Sequence, residues 1–363
     1  MTIMSSPRLI SIIGGTGAQG IPIVKALVES GDYTVRALTR DPSNARFKEL
    51  QSYGPFEGLV GSFASEPSLR ALFKGAWGAF VNIDGFNAGE MMELYWTIRA
   101  WELAIEEGVK FFVLGHLDYA YKLSGFKIHA GHYDAKGRAG AFILSQNADP
   151  AVSSRMRSAL FTTGPYIEMT LSAGTPLSPS IEDGIATWRV PLASGAIPFT
   201  ALADCGVYVK HLFDHSDQSS GVEIASAISH VTMSEYTEAF RKVTGKPARW
   251  IDVPLNDEHL TRMFGPFADT PAGYNAGSGS MSVRQNFTAF YEIFRASGGN
   301  QGVLKRDYGV LDKMHPDRIR DVEQWLRRED KEGREKGLGG LWERVGNLRP
   351  VLKTAEDGRT GSI

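Results

Sequence analysis

Apolar positions along the chain switch between two spacings. Short apolar runs at Leu9–Ile13, Tyr33–Leu38, Phe56–Val60, Ala79–Ile83, Lys110–Leu114 and Arg157–Thr162 read as six strands. The fifth is apolar after its first residue, as expected of a parallel strand covered on both faces. Between the runs, helical spacing takes over. It predicts helices after Ile21, from about Pro67 to Lys74, over Glu90–Glu107 and over Tyr133–Asn147. Ser65 and Glu66 mark the start of the second of these and Gly75 its end. The third carries its apolar residues at Met91, Leu94, Tyr95, Ile98, Trp101 and Ile105, and stops at Gly108. Alternating strand and helix patterns mean βαβ units, hence an α/β fold with a doubly wound parallel sheet.

Beyond Gly174 the texture changes to frequent Pro, Ser and Thr, short strands and separated helices. Strands are predicted at Thr187–Val190 and Gly221–Ala225, and helices at Cys205–Phe213 and Ser234–Thr244. Ser234 is the expected cap of the latter helix, with Gly245 as its terminating glycine. Thr270–Ser282 is glycine-rich and reads as a mobile loop. Pro316 is expected to open a last amphipathic helix through Ile319, Val322, Trp325 and Leu326. The charge run Arg327–Lys336 then forms a solvated face, and an irregular tail follows Gly339. The resulting division is 1–173 as a nucleotide-binding domain, to which later segments return, 174–345 as a smaller C-terminal α/β lobe and 346–363 as a tail.

Chemistry enters at the first turn. The strand ending at Ile13 runs into Gly14-Gly15-Thr16-Gly17-Ala18-Gln19-Gly20 and then into a helix. That strand–turn–helix is the fingerprint of a Rossmann dinucleotide site. Gly14 permits the sharp turn, Gly17 lets the backbone approach a pyrophosphate, and Gly20 lets helix and strand pack closely. The second strand ends about 20 residues later, where an acid would hold the ribose hydroxyls of NAD. Arg40 stands there instead, and a planar donor fork suits a 2′-phosphate, so the expected cofactor is NADP(H). Asp41, before Pro42 and Ser43, reads as a turn or cap residue. The carboxyl ends of the other strands, where open α/β sheets bind ligands, carry Asn82, Thr163, Gly164 and Tyr166. With Gly14, Thr16, Gly17, Ala18, Gln19, Gly20 and Arg40 they form the expected cofactor contacts.

Bulk properties narrow the class further. The 363 residues are 42% hydrophobic and 22% charged, ordinary for an enzyme-sized globular chain. A formal net charge of -2 gives no reason to expect direct nucleic-acid or membrane-surface binding. The single cysteine, Cys205, excludes an intramolecular disulfide and fits a reducing compartment. No apolar run reaches the roughly 18–20 residues of a membrane span, and the residues before Leu9 are too polar for a signal peptide. A cytoplasmic protein is expected, with a nuclear share if it acts as a regulator.

Three stretches resemble the NmrA-like branch of the atypical short-chain dehydrogenase/reductase superfamily. They are Gly14–Gly20, Leu38-Thr39-Arg40-Asp41-Pro42 and Gly131-His132-Tyr133-Asp134-Ala135-Lys136-Gly137, with Tyr236–Pro247 as a fourth, weaker likeness. The resemblance implies an NADP-binding Rossmann lobe with a smaller lobe closing over the nicotinamide, and it implies adenine contacts from Ser62, where relatives often carry an aspartate, and from Phe63. It also implies one of two functions. One is an NADPH-dependent reductase of a small organic carbonyl, imine or enone, related to isoflavone-reductase-like enzymes. The other is a non-catalytic NADP(H) sensor that regulates a protein partner. A homodimer is compatible with either.

Ordinary members of the superfamily pair Tyr and Lys at i,i+4 on one helical face. Here Lys136 fits the lysine, but His132 occupies i−4, Tyr133 lies at i−3, and Gly115 stands where the usual serine would fall. Lys136, His132 and Tyr133 are therefore the candidate catalytic residues. An unperturbed histidine titrates near ~6.5 and can donate a proton at neutral pH. On the competing reading Lys136 only holds the nicotinamide ribose, and His132 packs at the helix start. The irregular stretch His116–Gly131 contributes His116, Tyr119 and His129, with Tyr166, as expected substrate contacts. Three histidines without a nearby cysteine lack the spacing of a zinc site, so no metal is expected. No G-x-S-x-G elbow supports hydrolysis.

Overall fold

A computed structural model describes residues 6–273, 275–277 and 279–353. The six predicted strands appear as β1 (Arg8–Ile13), β2 (Tyr33–Thr39), β3 (Phe56–Val60), β4 (Gly78–Val81), β5 (Phe111–Leu117) and β6 (Arg157–Thr163). They form one parallel sheet in the order β3-β2-β1-β4-β5-β6, and Glu223–Ala225 adds a seventh parallel strand beside β6. The order reverses between β1 and β4, which opens a crevice at the carboxyl ends of those strands.

Two cores sandwich the sheet because its side chains alternate. On β5, Phe111 and Val113 join Ile10, Leu27, Phe80 and Phe213 on one face, whereas Phe112 and Leu114 join Leu69, Leu72, Trp101 and Ile143 on the other. The helix Leu202–Asp214 and the strand Glu223–Ala225 both lie beyond Gly174 in sequence yet belong to this sheet layer. Gly206 makes their return possible, since a Cβ there would come within 2.4 Å of the Pro22 carbonyl oxygen. The rest of the C-terminal half builds a third core around Trp188, Tyr236, Phe290, Phe294 and Trp325. A three-stranded sheet of Ser180–Glu182, Ile185–Arg189 and Ala248–Ile251 flanks that core.

Several local expectations are corrected. The helix before Gly245 begins at Met233, and Thr232 caps it in a capping box with Glu235, so Ser234 already lies inside its first turn. The last amphipathic helix spans Val322–Glu335 under an Asp321 cap and does not start at Pro316. Its delay has a cause in Arg318, whose buried guanidinium donates to the Ile228 carbonyl at 2.8 Å and Asp312 Oδ1 at 2.8 Å, holding an irregular approach. The chain beyond Gly339 is not wholly irregular, because Leu341–Val345 is helical; residues 354–363 of the expected tail lie outside the described residues. Among the described residues the helices Ala45–Gln51, Asp257–Phe264, Val283–Arg295 and Tyr308–Met314 escaped the pattern, as did several of a single turn. In the helix Glu90–Glu106 the apolar stripe is not the buried face. Met91 and Tyr95 are exposed, while Glu93, Thr97, Ala100 and Ala104 face inward with Trp101. No described helix is long and apolar enough to cross a membrane.

Candidate functional site

The glycine turn sits at the crevice with the geometry the glycines require. Gly14 adopts a φ of 86°, and its carbonyl accepts from the Gly17 amide at 3.0 Å. A Cβ on Gly20 would come within 2.1 Å of the Gly14 carbonyl oxygen, so only glycine allows this approach. The helix Gly20–Glu29 begins with no side-chain cap and no acidic residue in its first turn, leaving its N-terminal amides and dipole open to an anion.

A cleft of about 660 Å³ runs from this turn across the strand ends into the second lobe. Every expected cofactor contact except Gly20 lines it: Gly14, Thr16, Gly17, Ala18, Gln19, Arg40, Ser62, Phe63, Asn82, Lys136, Thr163, Gly164 and Tyr166. Gly20 lies behind the turn as its packing partner. Gln19 spans the floor, its Oε1 accepting from Asn82 Nδ2 at 2.7 Å and from the Tyr166 hydroxyl at 3.3 Å. Its buried Nε2 has no partner among the described residues. Asp41 makes a turn, with its Oδ1 accepting from the Ser43 amide and hydroxyl, and the helix cap falls instead to Asn44.

Lys136 lines the cleft. Its Nζ donates to Asn82 Oδ1 at 3.1 Å, the Ile83 carbonyl at 2.7 Å and Glu93 Oε1 at 2.5 Å. Three N–H groups meet three acceptors, so a ligand must displace one of these to reach the ammonium. Sequence reasoning missed Glu93, because the apolar stripe pointed to the other face of its helix. Burial pushes the Glu93 carboxyl upward, the Lys136 charge opposes that shift, and Oε2 has no partner among the described residues. Gly115 explains the missing serine. A Cβ there would meet Asn82 Cβ at 2.7 Å, so Asn82 fills that space and brings its own polar atom to Lys136.

The other two candidate catalytic side chains are differently placed. His132 lies at the cleft wall, where its ring packs against Phe86, Phe287 and Phe290. Nδ1 donates to Asn286 Oδ1 at 2.9 Å, which leaves Nε2 as an acceptor. Burial pulls the imidazole down to about 4, and this corrects the expectation of a histidine acid at neutral pH. Its ring is accordingly expected to stay neutral from about pH 8 to about pH 5.5, in contrast to a free histidine. NMR of the His132 ring would check this, and a midpoint near ~6.5 would overturn it. Tyr133 is buried, packed edge-on to His132 and against Phe290 and Phe294. Burial and the nearby Asp118 carboxylate push its phenol well above the usual tyrosine range.

The expected substrate contacts divide. Tyr166 and His116 line the cleft. His116 is nevertheless a floor residue, 5% exposed, with Nδ1 at 2.7 Å from the Thr162 hydroxyl and Nε2 closed in beside Gly140. Tyr119 and His129 are not in the cleft. Tyr119 packs over Gly137 and Arg138, and His129 Nε2 lies 3.0 Å from Glu90 Oε1. Both follow the turn of Tyr119–Ala130, which Asp134 ties down by accepting from the Tyr121 and Ala130 amides, each at 2.8 Å. The missed wall comes from the second lobe: Met263, Phe264, Phe287 and Phe290, with Phe86 opposite. Phe287 and Phe290 lie one turn apart on Val283–Arg295, a spacing that could have been read as a helix face. Among the described residues no group of three or more His, Cys, Asp or Glu could hold a metal ion.

Comparison with known proteins agrees with this architecture. A fungal relative, the NmrA-like family domain-containing oxidoreductase ptmS of Penicillium ochrochloron, is 30% identical over 258 residues, covering 67% of this chain and 75% of the relative. The solved structure of NmrA, a negative transcriptional regulator, in complex with NADP superposes with a TM-score of 0.70 at 17% identity, covering 93% of this chain and 100% of NmrA. Triphenylmethane reductase from Citrobacter sp., complexed with NADP(H), gives a TM-score of 0.62 at 15% identity, covering 88% and 99%. Residues 6–326 match the NmrA-like family, and the chain belongs to it.

Proposed function

We propose that the protein is an NADPH-dependent oxidoreductase that reduces a small organic carbonyl, imine or enone. The observation that carries this reading is Lys136, held between the glycine turn and an apolar, aromatic-walled recess by Asn82, Ile83 and Glu93. The residues present fit the cofactor. The glycine contacts leave a cradle no side chain could share, the first helix presents uncapped amides, and Gln19 offers an unpartnered buried amide. In this reading Gly14, Thr16, Gly17, Ala18 and Gln19 take the pyrophosphate and Arg40 the 2′-phosphate. Ser62 and Phe63 take the adenine, and Asn82, Lys136, Thr163, Gly164 and Tyr166 the nicotinamide half. Bound NADPH supplies a hydride. Lys136 orients the ribose and holds a proton beside the acceptor, while Phe86, Phe287 and Phe290 exclude water from the recess.

NADPH oxidation with a panel of carbonyl, imine and enone compounds tests the reading; no compound raising the rate above background would overturn it. Cofactor choice is tested by titration. Arg40→Ala is expected to weaken NADPH binding roughly tenfold or more while leaving NADH affinity nearly unchanged. An unaltered preference would remove Arg40 from its role.

The second reading, an NADP(H) sensor acting through a protein partner, draws on a specific observation. Neither His132, neutral with Nδ1 engaged, nor the buried Tyr133 offers the usual acid. It predicts cofactor-dependent partner capture with no turnover.

A further inference from the structure

We infer that the C-terminal segment Arg349–Lys353 is part of the dinucleotide site, with Lys353 supplying an ammonium to a cofactor phosphate. The inference rests on the nucleotide reading of the cleft and adds to it a residue that no comparison of the glycine turn would reveal.

The segment crosses the cleft and is pinned to both of its sides. On the side leading into the second lobe, the Arg349 carbonyl accepts from the Ala173 amide at 3.2 Å, and the Val351 amide donates to Ser172 Oγ at 2.9 Å. On the opposite side, Arg46, in the helix Ala45–Gln51 that follows β2, donates from Nη2 to the Val351 carbonyl at 3.0 Å. Just beyond these anchors Leu352 and Lys353 line the cleft. Lys353 Nζ donates to Thr16 Oγ1 at 2.9 Å, and Thr16 is a buried member of the glycine turn. The ammonium therefore stands at the glycine turn that leads into the uncapped first helix.

Charge and geometry agree. Helix amides and glycine-turn N–H groups attract an anion but carry only partial charge. A full positive charge beside them adds a charge-assisted hydrogen bond, and Arg40 lines the same cleft. A lysine on a segment tied by backbone hydrogen bonds loses less freedom on binding than one on a loose end. The shared ligand chemistry is phosphate, which in this cofactor is either the 2′-phosphate or the pyrophosphate.

Lys353→Met keeps the aliphatic stem and removes the charge. Fluorescence titration of the 363-residue chain with NADPH and with NADH is expected to show NADPH affinity falling roughly ten- to a hundredfold. Loss confined to NADPH assigns the 2′-phosphate, and equal loss for both nucleotides assigns the pyrophosphate. Lys353→Arg is expected to restore most of the affinity, which a merely structural role for the stem would not require. Wild-type binding with unchanged Lys353→Met affinities overturns this inference alone. Failure of the wild type to bind either nucleotide overturns it together with the nucleotide reading.

Discussion

Lys136→Met is expected to lower NADPH-dependent turnover by about 10²–10⁴-fold, the usual contribution of a positioned proton donor, while NADPH affinity falls far less. The asymmetry follows from where the charge sits. In the proposed reading the glycine turn and Arg40 hold the cofactor's phosphates, whereas Lys136 is bonded to Asn82, Ile83 and Glu93. Removing an interaction made mainly with the reacting groups lowers kcat and leaves ground-state binding. The substitution also strands Glu93, a buried carboxyl whose one hydrogen-bond partner among the described residues is Lys136. Loss of fold is therefore separated from loss of chemistry with the double variant Lys136→Met/Glu93→Gln, which leaves a neutral amide in the pocket. If both variants fold, bind NADPH and still turn over at the wild-type rate, Lys136 has no catalytic role. If neither they nor the wild type turn over any substrate, the sensor reading gains.

The largest effect on stability is expected at Asp118. Its carboxylate and the Arg306 guanidinium form a two-pronged pair, Nη1 to Oδ1 and Nη2 to Oδ2, each at 2.8 Å. The arginine side chain is 0% exposed and the aspartate 7%. Asp118 follows β5 on the sheet and Arg306 belongs to the second half of the chain, so the pair ties that half to the sheet behind Tyr133. Asp118→Ala leaves a buried guanidinium uncompensated and is expected to cost about 3–5 kcal/mol. Arg306 Nε already has no partner among the described residues, and beyond Asp118 the guanidinium donates only to the neutral Lys305 carbonyl among them, at 2.9 Å. The double variant Asp118→Ala/Arg306→Met is expected to recover much of the loss, because the cost lies in the stranded charge more than in the missing bond. Urea unfolding of the two single variants and the double variant measures this cycle. A single-variant cost below about 1 kcal/mol would place the pair among ordinary surface bridges.

Reading Lys136 as part of a functional group required only local spacing, since helical periodicity sets His132, Tyr133 and Lys136 near one face. Their chemistry was not local. His132 is expected to be an acid from its ordinary titration range, but burial among Phe86, Phe287 and Phe290 and the bond to Asn286 make it a neutral acceptor. Asn286 stands 154 positions away in a helix the pattern did not announce. Tyr119 and His129 were grouped with His116 because they share one irregular stretch. The fold of that stretch turns them toward Arg138 and Glu90, away from the cleft.

What the sequence alone determined is the set of features governed by neighbours along the chain: the six strands, the four longest helices of the first half, the glycine turn and the parallel α/β class. These depend on spacing, chirality and the steric freedom of glycine, all local properties of the backbone. Tertiary structure alone decided what depends on desolvation and on contacts between distant segments. It buried Glu93 against Lys136, drew the strand Glu223–Ala225 back to β6, and carried Lys353 across 337 positions to Thr16. Such contacts leave no periodic trace, because a charge or carbonyl meets its partner only after two separately formed elements have packed together.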